Sequence, residues 1–281
     1  PIRDIKEIHP IRMKKLSDSC YVFDFGRNMA GVSELTIGGK RGSKVYVRHA
    51  ERMDENFNID MSNIDYHYRP IDDSDPFQTD IFILSGLKEE TFRPLFNYKG
   101  FQYVEVKSSE PICLTMNSLK AYVMCSDVPA VGMISSSNPL LNKIWKATNR
   151  SYLSNLFGYP TDCPQREKNG WTGDAHIAIE TGLYNFDAIT LYEKWMRDHE
   201  DEQQSDGRLP AIIPTSGWGY DWGNGVDWVS SVSIVPWTVY LFYNDFTILE
   251  CTYETIRKYV DYMLQRYPCL LYTSPSPRDT R

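Results

Sequence analysis

Between Tyr159 and Asp174 the chain reads Tyr-Pro-Thr-Asp-Cys-Pro-Gln-Arg-Glu-Lys-Asn-Gly-Trp-Thr-Gly-Asp, which sets Asp162, Glu167 and Asp174 beside Arg166 and Trp171. Carboxyls in such company suit the cleavage of a glycosidic bond. One carboxyl that keeps its proton can donate to the leaving oxygen, while others face the positive charge of an oxocarbenium-like transition state. Keeping that proton near neutral pH requires burial or neighbouring negative charge. An indole supplies a flat apolar wall for the C–H face of a pyranose. Acids also gather at helix starts, where they cap free N–H groups and meet the helix dipole, so composition alone leaves capping open as a second reading. Pro160, Pro164, Gly170 and Gly173 argue for a stiff, irregular loop around the acids, the setting in which sites tend to sit.

The elements that must hold this loop differ on its two sides. From about Tyr21 to Val128 the chain alternates in short runs, Lys44-Val-Tyr-Val-Arg48, Thr79-Asp-Ile-Phe-Ile-Leu84, Tyr103-Val-Glu-Val106 and Leu119-Lys-Ala-Tyr-Val123, broken by Gly, Asn, Asp and Pro clusters. That pattern predicts an antiparallel β-sandwich. Gly38-Gly39-Lys-Arg-Gly42 reads as a turn between strands, and Asp72-Asp-Ser-Asp-Pro76 as a solvated polar loop. The latter lacks the Gly and terminal Glu of a calcium loop, although its acids leave that alternative open.

After Asp127-Val-Pro129 the period changes to that of helices. Ser137 is expected to open one with an apolar stripe at Leu140, Leu141, Ile144, Trp145, Thr148, Tyr152 and Leu156. Asp174 stands at the entrance to a second, with Ile177, Ala178, Thr181 and Leu183. Asp187 is expected to cap a third carrying Ile189, Tyr192, Trp195 and Met196. Val229–243 reads as helical with Pro236 near a kink, and Asp245 opens a last helix with Leu249, Tyr253, Ile256, Val260 and Met263.

With 281 residues and 42% apolar content, the chain can bury a large core in one or two domains. Its 30 basic and 37 acidic residues give a net charge of −7, which disfavours nucleic acid and anionic membranes as partners. No run of 18 apolar residues occurs, so no membrane span is expected. The six cysteines form no C-x-x-C pair and have no His at ligand spacing, which argues against a zinc site. Cys163, with no His near it in sequence to activate it, reads as a buried structural thiol rather than a nucleophile. The first residues, Pro1-Ile-Arg, leave the compartment open, and oligomeric state is not legible.

The motif Asp162-Cys-Pro-Gln-Arg-Glu-Lys-Asn-Gly-Trp-Thr-Gly-Asp174 resembles the hallmark of the bacterial α-L-rhamnosidases of glycoside hydrolase family 78. The resemblance continues through Gly182-Leu-Tyr-Asn-Phe-Asp187, Lys194-Trp-Met-Arg-Asp198, Asp227-Trp228 and Val235-Pro-Trp237. Upstream, Phe23-Asp-Phe-Gly-Arg-Asn-Met-Ala-Gly31, Arg48-His-Ala-Glu51 and Tyr98-Lys-Gly-Phe-Gln-Tyr-Val-Glu105 resemble the β-domain that precedes the catalytic domain there. Many members of that family carry an extra acid between the Arg and the catalytic Glu. This chain has one residue fewer, and anchoring on Trp171 brings Glu167, four positions earlier, to the proton-donor position. The resemblance implies that Asp162, Arg166, Trp171 and Asp174 hold the sugar, with Asp227 and Trp228 nearby and Trp222 a further candidate.

It also implies a fold: a β-sandwich over residues 1–128, then the first part of an (α/α)₆ barrel over 129–268, with about five of twelve helices present. Residues 269–281, Pro- and Ser-rich, resemble translated adapter sequence and are set apart from the fold. The activity implied is release of terminal α-L-rhamnose from rhamnose-containing glycosides or polysaccharides by an inverting acid/base mechanism, with no metal or cofactor. The general base would be a Glu in a later part of the barrel, outside this chain. Arg166 is expected to engage an aspartate or sugar hydroxyls rather than Glu167. His176 reads as a hydrogen-bonded structural residue. The alternatives are another inverting α/α-barrel glycosidase and a non-catalytic carbohydrate-binding module. A pure binder would have little need for Glu167.

Overall fold

In the computed structural model, residues 1–65, 77–215, 217–221 and 225–268 are described. Trp222, the Asp72–Pro76 loop with its calcium alternative, and residues 269–281 lie outside them. By their contacts the residues divide into two compact units: Pro1–Asp127 with Leu153–Phe157 and Cys163–Lys168, and Val128–Tyr152 with Gly158–Asp162 and Asn169 onward.

The first unit is built on strands β1 (Ile2–Ile8), β2 (Arg12–Ser17), β3 (Cys20–Ile37), β4 (Lys44–Ala50), β5 (Arg52–Met53), β6 (Ile59–Asp60), β7 (Thr79–Ile83), β8 (Glu90–Phe92), β9 (Lys99–Ser108) and β10 (Leu119–Ser126), with a one-turn helix α1 (Ser62–Asp65). Eight strands form an antiparallel sheet in the order β1-β10-β3-β9-β4-β7, with β2 and β8 also paired to β3. Strand β3 organises it: its first half lies between β2 and β9, and its second half meets β10 and β8. The register of β3 against β9 shifts between Asp24 and Met29, where Gly26 takes a φ of +72°.

Alternating side chains from these strands make one apolar core, with Phe23, Leu35, Val45, Val47, Phe101, Val104, Val106 and Leu119 all but sealed from water. Polar groups are buried with it, His49 and Lys99 among them. His49 bridges the Ser33 hydroxyl (2.8 Å) and the Gln78 carbonyl (3.2 Å), and burial first, then the charge of Lys99, pushes its pKa down to about 3. Lys99, 1% exposed, donates to Asp80 at 2.7 Å.

The second unit is helical: α2 (Pro139–Ser154), α3 (Thr172–Asn185), α4 (Ile189–Glu202), α5 (Val226–Val229), α6 (Ser231–Tyr243) and α7 (Phe246–Arg266). Helices α3, α4 and α7 pack on α6. Gly182 of α3 gives room to the Tyr152 ring, whose hydroxyl shares a hydrogen bond of 2.9 Å with Tyr192 of α4. Trp195 and His199 are fully buried, the histidine held between the Trp195 carbonyl (2.9 Å) and the Ser231 hydroxyl (3.0 Å), and burial lowers its pKa to about 4.

Two helical expectations need correction. Leu140, Leu141 and Ile144 of the α2 stripe are exposed and Tyr152 is the buried residue of that helix, because no described element covers the stripe. On α3 the buried face runs through Ala175, Ile179, Gly182 and Leu183, and Ile177 is 72% exposed. Asp187 does not cap α4: its Oδ1 accepts from the Tyr243 hydroxyl (3.0 Å), and that same hydroxyl takes the Ala188 N–H (3.2 Å). Burial and the bond to Asp187 push the Tyr243 pKa up to about 12. Asp245 does cap α7, accepting from the Thr247 N–H. Pro236 lies inside α6.

Candidate active site

The acid-bearing loop starts and ends on one closed pair. Asp162 N–H donates to the Asn169 carbonyl (3.0 Å), and Asn169 N–H donates back to Asp162 Oδ1 (2.9 Å). A carboxylate oxygen that accepts a backbone N–H is both satisfied and fixed in direction, so Asp162 holds the loop shut. Inside the loop Cys163 is buried; its carbonyl accepts the Lys168 N–H (3.2 Å) and its Sγ accepts the Glu167 N–H (3.3 Å). The thiol is therefore a backbone tie, as its position without a nearby His suggested. Lys168 sits at a φ of +57°, in the left-handed region that a non-glycine residue enters only when its surroundings hold it there.

Glu167 and Arg166 are half-buried. Arg166 Nε is sealed from water with no hydrogen-bond partner among the described residues, and so is the neighbouring Gln165 Oε1. A guanidinium N–H left bare in a protein costs the desolvation of that group, so it marks a place where a ligand acceptor would be welcome.

Trp171, Asp174, Asp227 and Trp228 gather around the start of α3. Gly170 pairs with the segment before the Ile213–Pro214 bond: Ile213 N–H donates to the Gly170 carbonyl (2.8 Å), Thr172 N–H donates to Ala211 (2.9 Å), and Trp171 is bridged to Ile212. A Cβ on Gly170 would stand 2.0 Å from the Ile213 carbonyl oxygen, so close approach, not positive φ, demands glycine there. Trp195 Nε1 donates to that same carbonyl at 2.9 Å.

Trp171 occupies the N-cap position of α3 and is half-buried; Asp174 is exposed in the first turn, where the helix dipole favours its charge. The Trp228 indole lies flat over Gly173, whose missing Cβ would be 2.5 Å from Cε2. Its Nε1 is a second buried N–H with no partner among the described residues. His176 Nε2 donates to the Asp227 carbonyl (2.8 Å), tying α3 to α5 in the structural role expected of it. Gln165, Gly100, Lys168 and Asn169 were not singled out from sequence as site residues.

Family profiles match nearly the whole chain: the bacterial alpha-L-rhamnosidase concanavalin-like domain over residues 14–125, and the bacterial alpha-L-rhamnosidase 6 hairpin glycosidase domain over residues 129–276. The chain belongs to the bacterial α-L-rhamnosidase family. Its sheet unit is the concanavalin-like domain and its helices belong to the six-hairpin glycosidase domain.

Among rhamnosidases, the chain is 32% identical over 265 residues to an alpha-L-rhamnosidase of Alteromonas sp. (strain LOR), covering 93% of this chain and 27% of the relative. It is 31% identical to that of Streptomyces avermitilis, covering 94% and 24%. The solved alpha-L-rhamnosidase of Dictyoglumus thermophilum superposes with a TM-score of 0.85 at 33% identity, over 96% of this chain and 29% of that one. The S. avermitilis alpha-L-rhamnosidase complexed with L-rhamnose gives 0.82 at 30%, over 94% and 25%. The chain thus spans about a quarter of the length of these rhamnosidases.

Proposed function

We propose that this chain supplies the proton donor and part of the sugar subsite of an α-L-rhamnosidase that releases terminal α-L-rhamnose with inversion of the anomeric centre. The observation that carries the reading is the presence, on one short loop of a rhamnosidase-family chain, of the half-buried Glu167 beside Arg166, whose buried Nε has no hydrogen-bond partner among the described residues. Glu167 donates its proton to the departing glycosidic oxygen. Asp162, Arg166, Trp171, Asp174, Asp227 and Trp228 bind the deoxy-hexose, joined by Trp222 from outside the described residues. Arg166 Nε and Trp228 Nε1 are donors in want of acceptors, which sugar hydroxyls provide.

An inverting enzyme places its second carboxylate roughly 6.5–9.5 Å from the first, leaving room for water. We assign that base to polypeptide outside this chain, in later hairpins that would also cover the exposed Leu140, Leu141 and Ile144 stripe. Residues 1–128 would then serve as the β-domain and 129–268 as the opening part of the catalytic domain.

The test uses the complete protein that carries these residues. On an alkyl or glycosyl α-L-rhamnoside, ¹H NMR should show β-L-rhamnopyranose as the first product. Glu167→Gln should cut turnover by about 10²–10⁴-fold, the usual contribution of a positioned acid, with the fold intact. First formation of the α-anomer would refute inversion. Near-normal turnover of Glu167→Gln would remove the acid assignment, and binding of rhamnose without cleavage by the unaltered protein would turn the chain into a recognition module.

A further inference from the structure

The loop that carries Glu167 does not stand on its own hydrogen bonds alone; Cys163–Lys168 groups with the sheet unit, and its seat there is a small built corner at the start of β9. Gly100 forms the floor. A Cβ at that position would lie 2.9 Å from Gln165 Cβ, 3.0 Å from Pro164 Cγ and 3.1 Å from Gln165 N, so the loop rests directly on the glycine backbone. The Gly100 carbonyl is fixed from the other side by Gln78 Nε2 at 2.7 Å.

Lys168 closes the corner. Its Nζ donates to the Tyr98 carbonyl at 2.7 Å and stands 4.9 Å from the centroid of the Tyr98 ring, a cation–π distance. That ring is itself stacked on Phe157 at 3.8 Å and 14°. Lys99 opposes the Lys168 ammonium from the adjoining residue of β9 and Asp80 partly offsets Lys99, while burial lowers the Lys168 pKa to about 8. A side chain that accepts burial, a like-charged neighbour and a left-handed backbone is poorly explained as decoration of the surface. The motif Tyr98-Lys-Gly, some 70 residues from the acid in sequence, gains a purpose by the same contacts.

We propose that Lys168, seated on the Tyr98-Lys99-Gly100 corner, is the positioning residue that sets where the Glu167 carboxyl stands relative to the leaving oxygen. That role requires no contact with substrate or reacting atoms. The inference rests on Glu167 being the proton donor, and the test separates the two.

A general acid matters in proportion to how badly the leaving group needs a proton. An alkyl rhamnoside needs it fully, whereas 2,4-dinitrophenolate departs without it. In the complete protein, Lys168→Met should lose about 100-fold in kcat on an alkyl α-L-rhamnoside, the scale of a misplaced catalytic group, and stay within about threefold on 2,4-dinitrophenyl α-L-rhamnoside. Gly100→Ala, which crowds the same loop at Pro164 and Gln165, should give the same split, and decides the matter if Lys168→Met fails to fold.

Equal losses on both substrates, or wild-type rates on both, in a folded variant would overturn the positioning role. Glu167→Gln run alongside identifies the other failure: if it shows no leaving-group dependence, the acid assignment itself falls, whatever Lys168 does.

Discussion

Gly173→Ala probes the start of α3, proposed above to face the sugar, with a single methyl group. The new Cβ would stand 2.5, 2.6 and 2.7 Å from Cε2, Cδ2 and Nε1 of Trp228, where ordinary contact begins near 3.4 Å, so the indole must retreat by about 1 Å. Two terms oppose each other. Replacing glycine by alanine in a helix gains up to about 1 kcal/mol. Overpacking an aromatic ring costs about 1–3 kcal/mol. The second should win, leaving a net loss of about 1–2 kcal/mol and a melting temperature lower by a few degrees, on the usual scale of about 2–4 °C per kcal/mol for a unit of this size.

Function should suffer more than stability if Trp228 forms the proposed wall of the subsite: kcat/KM on a rhamnoside is then expected to fall about 10- to 100-fold. A double-mutant cycle with Trp228→Ala isolates the cause. In that background the methyl meets no ring, so Gly173→Ala should become neutral or stabilising. Unchanged melting and kinetics for the single variant, or the same loss in both backgrounds, would refute the placement of Trp228 against the start of α3 and its role as a subsite wall.

Acid should weaken both units through histidines that the fold keeps neutral. His49 and His199 have pKa values lowered to about 3 and about 4, so between those values and about 6.5 the unfolded chain binds protons that the folded chain does not. Stability is then full above pH 6.5 and is lost as pH falls, by about 2 kcal/mol in each unit at pH 5. Urea unfolding followed at pH 7 and pH 5 measures it, and His199→Gln should flatten the helical unit's dependence; an equally steep dependence in that variant would contradict the assignment. At the acid loop, Asp162→Ala should destabilise by about 1.5–3 kcal/mol through loss of the bond from Asn169 N–H. Asp162→Asn keeps that acceptor and should melt near wild type while losing rhamnoside turnover, and if both variants melt alike the carboxylate is not the clasp of the loop.

How far the fold can be read from residues depended on whether burial came from near or far in sequence. Strands β4, β9 and β10 alternate because one face meets the core, and their runs were legible at once. Strand β1 carries no such signal because nearly all of its side chains are exposed; it is held by its backbone pairing to β10. The α2 stripe is the reverse case. Its periodicity records what the helix is prepared to bury, while no described element buries Leu140, Leu141 and Ile144. Asp187 misled because an acid before a helix reads as a cap, whereas a tyrosine hydroxyl from α6 does that work.

The site divides in the same way. Residue types in the Asp162–Asp174 run disclosed the chemistry, since acids, an arginine and an indole carry it within a few positions. What supports them was hidden. Gly170 answers to a carbonyl on residue 213, Gly173 to the ring of Trp228, and Lys168 to the carbonyl of Tyr98, none of which leaves a local signature.

The most direct measurement is a crystal structure of the complete Glu167→Gln protein with an intact alkyl α-L-rhamnoside bound. The side-chain amide at position 167 should lie roughly 2.6–3.2 Å from the glycosidic oxygen, the reach of a proton donor, with Arg166 Nε donating to a sugar hydroxyl. A rhamnoside seated elsewhere, or one whose glycosidic oxygen faces a different carboxyl, would contradict that role for Glu167.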